Sequence, residues 1–250
     1  MPTADSANGG DTIISIPRSP KLQSLLHEPQ ELPSHEPVLD TQFKIRLANT
    51  EGRRSKASYL IKRQYAWRGY QASGLSGSLA NRITLAAFDS EQTIATITVA
   101  VDSPSGLAVE ALYPEEVREL RAAGSRLCEF TTLAVDNMVR SKAVLAAIFH
   151  IAYIYAHRIR GCTDLLIEVN PRHVRFYQSM LGFVKRGEER IDPRVDAPAF
   201  LLGLVLSRAE AEIARLGGHA ELADQTRLLY PLFFSAKEEQ GIEGRLRTMD

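Results

Sequence analysis

The sequence is poor in the features that mark several large classes of protein. Its 250 residues include two cysteines, Cys128 and Cys162, which are far apart and form no Cys-x-x-Cys pair. Two such cysteines are too few for a disulfide scaffold or a structural zinc site, and they fit a reducing compartment. Thirty basic and thirty acidic residues leave no formal net charge, whereas a nucleic-acid-binding protein usually has a basic excess. We therefore expect no nucleic-acid partner.

Long apolar runs and common catalytic motifs are also missing. The longest apolar run, residues 143–156, includes His150 and falls short of the roughly 20 apolar residues that cross a membrane. The N-terminus has no charged start followed by an apolar stretch, so we expect a cytoplasmic protein without a membrane span. Neither Gly-x-Ser-x-Gly nor Gly-x-x-x-x-Gly-Lys-Ser/Thr occurs. His150 and His157 have no third ligand in view, so we predict no metal site.

Proline divides the chain into regions. Half of the twelve prolines fall in residues 1–40, a segment with few aromatic residues. Such a segment does not bury enough apolar area to offset its ordering entropy, so we predict a disordered N-terminal tail over residues 1–40. Residues 41–218 form the predicted globular domain. Residues 219–250 are a predicted C-terminal extension that either packs on the domain or is mobile.

The domain alternates between strand and helix patterns. Two strand-like runs, residues 83–88 and 93–101, follow one another closely. Residues 127–135 are apolar on both faces, which is typical of a central strand. The clearest helical periodicity follows in residues 141–160, and the next strand-like run is residues 165–169. This order predicts a mixed α/β fold with one sheet.

Glu129 is notable because it is a carboxylate in an apolar strand. Its neighbours Leu127, Phe130 and Leu133 would desolvate it and raise its pKa toward the range that is useful for a general base. An amine nucleophile must lose a proton to attack a thioester, so a base at this position makes chemical sense. The alternative is a structural carboxylate that hydrogen-bonds a neighbouring loop.

The segment from Asn170 to Phe183 resembles a stretch of the GNAT acyltransferases. In that family a strand ends in Asn, a short helix carries a Tyr, and Leu-Gly-Phe starts the next strand; here these are Asn170, Tyr177 and residues 181–183. The resemblance implies that the strand splays from its neighbour and that the pantetheine arm of the acyl donor lies in the gap beside Asn170. It also implies that Tyr177 protonates the departing thiolate. The alternative is a tyrosine that caps the core.

Residues 129–136, Glu-Phe-Thr-Thr-Leu-Ala-Val-Asp, are similar to the central strand of the acyl-homoserine lactone synthases and of the related N-acyl amino acid synthases. The lactone synthases commonly have an Arg shortly after the strand Glu, where this chain has Thr131 and Thr132. The difference favours an amine acceptor other than S-adenosylmethionine. The resemblance places Phe130 and Thr131 in the substrate pocket and Val135 beside the acyl donor.

The entrance of the long helix contains Arg140, Ser141 and Lys142 but no glycine. GNAT enzymes that use coenzyme A usually have glycines here, because the pyrophosphate approaches the backbone closely at the helix N-terminus. The three residues therefore favour a donor presented by an acyl carrier protein, and a solvated basic helix start is the alternative. Trp67, the only tryptophan, either walls an acyl tunnel or fills the core.

The resemblance covers residues 43–206 and is closest to the N-acyl amino acid synthases. It implies an α/β (α+β) GNAT-like fold with a mixed, mainly antiparallel sheet that is flanked by helices and splayed at the acyl-donor site. It implies an N-acyltransferase that moves a long-chain acyl group from an acyl-carrier-protein thioester to the α-amine of an amino acid, without a metal or redox cofactor. The alternatives are a coenzyme A-dependent N-acetyltransferase, a lactone-type signal synthase and an inactive module that binds an acyl carrier protein.

Overall fold

The computed structural model describes residues 11–17, 42–66, 81–136 and 141–249. The strands are β1 (Thr12–Pro17), β2 (Gln42–Leu47), β3 (Arg82–Asp89), β4 (Gln92–Val101), β5 (Leu127–Val135), β6 (Asp164–Val169), β7 (Val184–Lys185), β8 (Arg190–Asp192) and β9 (Ala197–Val205). The helices are α1 (Glu51–Ala66), α2 (Pro114–Ala122), α3 (Lys142–Tyr153), α4 (Pro171–Leu181), α5 (Leu206–Leu216) and α6 (Ala236–Met249). None of the helices in these ranges is long and apolar enough to cross a membrane.

The sheet has one interruption in an otherwise antiparallel order. Its strands run β1-β2-β3-β4-β5-β6-β9-β7, and β8 pairs with β9. Among the described strands only β5 and β6 are parallel, and their pairing covers residues 127–129 and 164–166. Beyond that register β5 continues along β4 to Val135, and β6 continues along β9 to Val169. The mainly antiparallel sheet with a splay between these strands is therefore confirmed.

The two faces of the sheet carry different helices. On one face, Leu60 and Ile61 of α1 pack against Ala134 of β5, and α2 covers a second small apolar cluster. On the other face, α3, α4, α5 and α6 close the large core. Because side chains alternate along a strand, Glu129 points to the α1/α2 face and Phe130 to the α3/α4 face. The long helix predicted over residues 141–160 is present as α3 and the π-helical turn that continues it.

Residues Thr12–Pro17 depart from the predicted disordered tail. They form the edge strand β1, which runs antiparallel to β2. Ile13 is fully buried in the large core, and its carbonyl accepts a hydrogen bond from Arg245 Nε of α6 at 2.5 Å. Ile13, Ile14 and Ile16 form an apolar cluster in this strand. The prediction made from the proline content does not take this cluster into account. The rest of the predicted tail, apart from Asp11, lies outside the described residues.

The C-terminal extension packs on the domain. Ile242 of α6 is fully buried in the large core. His150 of α3 stacks on Phe233 with ring centroids 4.7 Å apart, and its Nδ1 accepts a hydrogen bond from the backbone N–H of Phe234 at 2.9 Å. Burial lowers the pKa of His150, which keeps the ring neutral and able to accept this bond. Residues 229–246 therefore contribute buried side chains to the large core.

Replacing Ile242 by Ala tests whether this extension is part of the folding unit. We expect the change to lower the free energy of unfolding by about 2–5 kcal/mol, because it removes buried methyl groups and leaves a cavity. Lys237→Ala on the exposed side of the same helix is the matched control and should change it by less than about 0.5 kcal/mol. Urea denaturation of the full chain measures both. Equal stability of the two variants would show that α6 is an independent appendage.

Candidate active site

A cleft of about 570 Å³ opens where β5 and β6 diverge. It is lined by residues from both of these strands and from both faces of the sheet. The cleft has space because β5 and β6 stop pairing with each other after Glu129 and Leu166. The cleft therefore connects the α1/α2 face to the α3/α4 face through the sheet itself.

The wall on the α3/α4 face is apolar. Phe130 lies 6.5 Å from Phe149 of α3 between ring centroids, and Phe149 meets the ring of Tyr177 edge-on at 6.3 Å. The other apolar residues of this wall are Ile97, Val135, Leu145, Ile167, Val169 and Phe176. Such a wall suits an acyl chain, because each buried methylene contributes about 0.8 kcal/mol.

The wall on the α1/α2 face is polar and charged. Arg194 joins two carboxylates, with Nη2 2.6 Å from Glu168 Oε1 and Nε 2.8 Å from Asp192 Oδ1. Arg82 at the start of β3 belongs to the same wall. Across the described residues, His, Cys, Asp and Glu side chains form no group of three or more that would suit a metal ion. Within this wall, Glu168, Asp192 and Arg194 pair with one another.

Glu168 has the environment of a general base. Its side chain is 15% exposed, and its Oε2 is buried and accepts no hydrogen bond from the described residues. Burial, together with the neighbouring Asp192 carboxylate, raises the pKa of Glu168 to about 7, although Arg194 opposes the shift. Burial also acts to raise the pKa of Asp192, but the hydrogen bonds from Arg194 hold it below its ordinary value. Near neutral pH, Asp192 therefore stays ionised while Glu168 exchanges a proton.

Glu129, the base predicted from the sequence, lies in a different environment. It is fully buried, and its two oxygens accept hydrogen bonds from the backbone N–H groups of Ala108 at 2.9 Å and Val109 at 3.0 Å. Ala108 and Val109 line the cleft, whereas Glu129 does not. Burial raises the pKa of Glu129, and the two backbone hydrogen bonds oppose the shift. This is the geometry of a structural carboxylate that hydrogen-bonds a neighbouring loop.

The loop that covers Glu129 is also held from its other side. Arg121 of α2 donates from Nε to Asp102 Oδ2 and from Nη1 to Glu110 Oε2, each at 2.7 Å. Glu110 in turn accepts a hydrogen bond from the backbone N–H of Leu107 at 2.6 Å. Since charge-assisted bonds fix the loop at both ends, the amides over Glu129 are held in place.

Strand β5 has an irregularity inside the cleft at Thr132. Thr132 has a positive φ of 49°, and the register between β4 and β5 shifts beside it. Two threonines of β4 hold this conformation: Thr98 Oγ1 lies 2.6 Å from Thr132 Oγ1, and Thr96 Oγ1 donates to the Thr132 carbonyl at 3.0 Å. A bulge re-aims the strand, and residues 131–133 consequently all line the cleft.

Five of the residues predicted for the site line the cleft. They are Phe130, Thr131, Val135, Asn170 and Tyr177. Asn170 also has a structural role, because its Oδ1 caps α4 at the N–H of Arg172 (3.2 Å) and its Nδ2 donates to the carbonyl of Pro198 (3.3 Å). These five residues come from β5, the end of β6 and α4.

The remaining predicted site residues lie elsewhere or are not described. Ser141 caps α3, with its Oγ accepting a hydrogen bond from the N–H of Val144 at 3.4 Å, and Lys142 is exposed at the first position of that helix. Neither lines the cleft. Arg140 and Trp67 lie outside the described residues.

Sequence reasoning missed the group formed by Glu168, Asp192 and Arg194. Glu168 carries a signal, since it is a carboxylate in the otherwise apolar run of β6 and precedes Asn170 by two residues. Asp192 and Arg194 lie in a polar stretch without periodicity. Only the return of the chain through β8 to β9 brings them beside β6.

Comparison with known proteins agrees with this geometry. The family described as N-acyl amino acid synthase FeeM matches residues 56–205 of the sequence. The chain belongs to this family. The solved structure of FeeM, an N-acyl amino acid synthase from uncultured soil microbes, is 26% identical, with a TM-score of 0.61, and the match covers 68% of this chain and 93% of that one. The predicted family, the GNAT-like fold and the assignment as an N-acyltransferase are thereby confirmed.

More distant structures also match. An acyl-CoA N-acyltransferase from Pseudomonas aeruginosa is 14% identical, with a TM-score of 0.45 over 64% of this chain and 97% of that one. An acetyltransferase of the GNAT family from Streptococcus pneumoniae is 15% identical, with a TM-score of 0.45 over 64% and 99%. A search of curated proteins gives no match.

The raised pKa of Glu168 predicts a measurable effect on stability. The folded protein binds this proton more tightly than the unfolded chain, whose ordinary glutamate value is 4.5. The stabilisation from the bound proton is full below pH 4.5 and is lost as the pH rises through about 7. Relative to Glu168→Gln, the wild type should therefore lose about 1–3 kcal/mol of unfolding free energy between pH 4.5 and pH 8.

Urea denaturation of both proteins at several pH values measures this difference. Glu115→Gln, at an exposed position of α2, is the control and should follow the wild type. A difference between wild type and Glu168→Gln that does not change with pH would mean that Glu168 titrates normally in the folded protein.

Proposed function

We propose that the protein is an N-acyl amino acid synthase that transfers a long-chain acyl group from an acyl-carrier-protein thioester to the α-amine of an amino acid. One observation carries the proposal: the cleft between β5 and β6 has an apolar wall for an acyl chain and, facing it, a charged wall that includes Glu168. An acyl thioester and a charged amine require these two opposite environments at one point.

Two features support an acyl carrier protein as the donor. The segment that leads into α3, residues 136–143, has no glycine, so a pyrophosphate has little room to approach the backbone at that helix N-terminus. Helix α1 carries five basic residues and one acidic residue, and Lys142 is exposed at the start of α3. Such basic surfaces attract an acidic partner and raise its association rate.

In this reaction the ammonium nitrogen loses two protons, one before and one after it attacks, and the departing thiolate gains one. In this proposal Glu168 takes a proton from the ammonium group of the acceptor, and the amine nitrogen attacks the thioester carbonyl. The C–N bond forms, the carbonyl becomes a tetrahedral oxyanion, the nitrogen loses its second proton to water, and the C–S bond then breaks. In this proposal, backbone N–H groups near the Thr132 bulge stabilise the oxyanion. Tyr177, which lines the opposite wall, protonates the departing thiolate.

The first test of this function is product analysis by mass spectrometry. Purified protein is given an amino-acid pool plus S-adenosylmethionine, with palmitoyl-carrier protein, palmitoyl-CoA or acetyl-CoA as donors in parallel reactions. We expect an N-palmitoyl amino acid, formed at least 10-fold faster from the carrier protein, because the basic surfaces add affinity for that donor. Acetylated product from acetyl-CoA alone, or a product of S-adenosylmethionine, would overturn the proposed substrates. No product from any donor would favour an inactive binding module.

Two glutamate variants separate the catalytic and structural carboxylates. Glu168→Gln removes the base and should lower kcat/KM by about 10²–10⁴-fold while the protein stays folded. Glu129→Gln places an N–H₂ group against a backbone amide, so it should lower the unfolding free energy by about 1–3 kcal/mol and leave turnover of the folded fraction within about 10-fold.

Kinetics and urea denaturation on the same preparations decide between the two roles. The wild-type rate should rise with an apparent pKa near 7, the value set at Glu168, and Glu168→Gln should lose this dependence. The reverse pattern, in which Glu129→Gln abolishes turnover and Glu168→Gln does not, would restore the assignment made from the sequence.

A further inference from the structure

Arg82 belongs to the charged wall and makes no hydrogen bond to a carboxylate of the described residues. It lines the cleft, and its side chain is 33% exposed. Its Nε is buried and has no hydrogen-bond partner among the described residues. An unpaired buried donor costs free energy, and the cost is higher for a charged group. The part of the Arg82 side chain that faces the cleft is within reach of a ligand bound there.

The carboxylate nearest to Arg82 does not use this capacity. Arg82 Nη2 lies 3.9 Å from Glu129 Oε1, which is beyond hydrogen-bond distance. Both Glu129 oxygens are already bonded to the amides of Ala108 and Val109. By contrast, Arg194 in the same wall is saturated by Glu168 and Asp192. Arg82 is therefore the cation of this wall that is left to bind an anion.

Arg82 and Glu168 line the same cleft. Arg82 pairs with Ala100, and Ala100 with Glu129, so the three side chains form one row on the α1/α2 face. Glu168 lies one strand beyond Glu129 and two residues further along. In a free α-amino acid one carbon separates the carboxylate from the amine. With a hydrogen bond of about 2.9 Å at each end, such a molecule bridges two protein groups that are roughly 9 Å apart.

We infer that Arg82 binds the α-carboxylate of the acceptor and so selects free α-amino acids over amines without a carboxylate. The Arg82 guanidinium donates from its two terminal nitrogens to the two carboxylate oxygens, a planar arrangement that Arg and carboxylate form. This contact holds the α-amine toward Glu168. The inference rests on the proposed function and adds to it the residue that defines the acceptor class.

The test compares acceptors with and without the carboxylate on wild-type and variant enzymes. The acceptors are the amino acid that the wild type uses best and the carboxamide of that same amino acid, each with palmitoyl-carrier protein as donor. Arg82→Gln should lower kcat/KM for the free amino acid by roughly 10- to 100-fold, mainly through KM. The same change should alter kcat/KM for the carboxamide by less than about 3-fold. KM for the donor should be unchanged.

Arg82→Lys and Arg118→Gln are the companion variants. Arg82→Lys keeps the charge but loses the planar fork, so its loss on the free amino acid should lie between wild type and Arg82→Gln. Arg118 is an exposed residue of α2 that pairs only within its own helix, and Arg118→Gln should behave as wild type. Urea denaturation of each variant shows whether the protein is folded at the assay temperature.

The outcomes separate the inference from the proposed function. Preferential loss on the free amino acid supports the role of Arg82. Equal loss on both acceptors, or no loss on either, overturns that role and leaves the synthase activity of the wild type standing. A wild type that acylates no amino acid overturns the proposed function, and the inference falls with it.

Discussion

The parallel pairing of β5 and β6 is the constraint on which the rest of the site depends. The pair is hydrogen-bonded at residues 127–129 and 164–166 and then separates, because each strand keeps its antiparallel partner on the other side. The short paired part fixes the register, and the divergent part opens the sheet without breaking it. As a result, Glu168 and Phe130 face opposite sides of the sheet yet border the same cleft. A charged acceptor and an apolar donor can then approach one point from two sides.

Two glutamates near this divergence show how the same residue type takes different roles. Glu129 lies in the paired part of β5. Two backbone N–H groups of the covering loop donate hydrogen bonds to its carboxylate, which holds the loop in place. Glu168 sits past the end of the ladder, where the cleft reaches the strand and the carboxylate keeps one oxygen without a hydrogen-bond donor. Burial raises the pKa of both. The candidate base and the structural carboxylate therefore differ in their access to the cleft and not in the direction of their pKa shifts. For this reason the position of a carboxylate is considered before its pKa.

The sequence predicted the parts of the protein that have strong local patterns. The central strand, the long helix after it and the Asn170–Tyr177 segment were placed correctly, because apolar periodicity and the cap at Asn170 are local signals. The strand at Thr12–Pro17 was missed, since six residues in a proline-rich region reveal little until β2 and α6 supply their partners. The charged wall was also missed. Its members come from β3, β6 and the β8–β9 return, and strand order is a long-range property that no short motif encodes.

The charged residues of the cleft form two groups that differ in net charge. Two carboxylates and one cation, Glu168, Asp192 and Arg194, leave this group one negative charge when both acids are ionised. The raised pKa of Glu168 relieves that excess, because one shared proton makes the group neutral. Arg82 stands outside this group and contributes its own positive charge. An amino acid carries a charge that is complementary to each of these groups. Its ammonium group interacts favourably with ionised Glu168, and its carboxylate interacts favourably with Arg82. In the proposed reaction, binding of the acceptor shifts Glu168 toward its ionised form, which is the form that removes the proton.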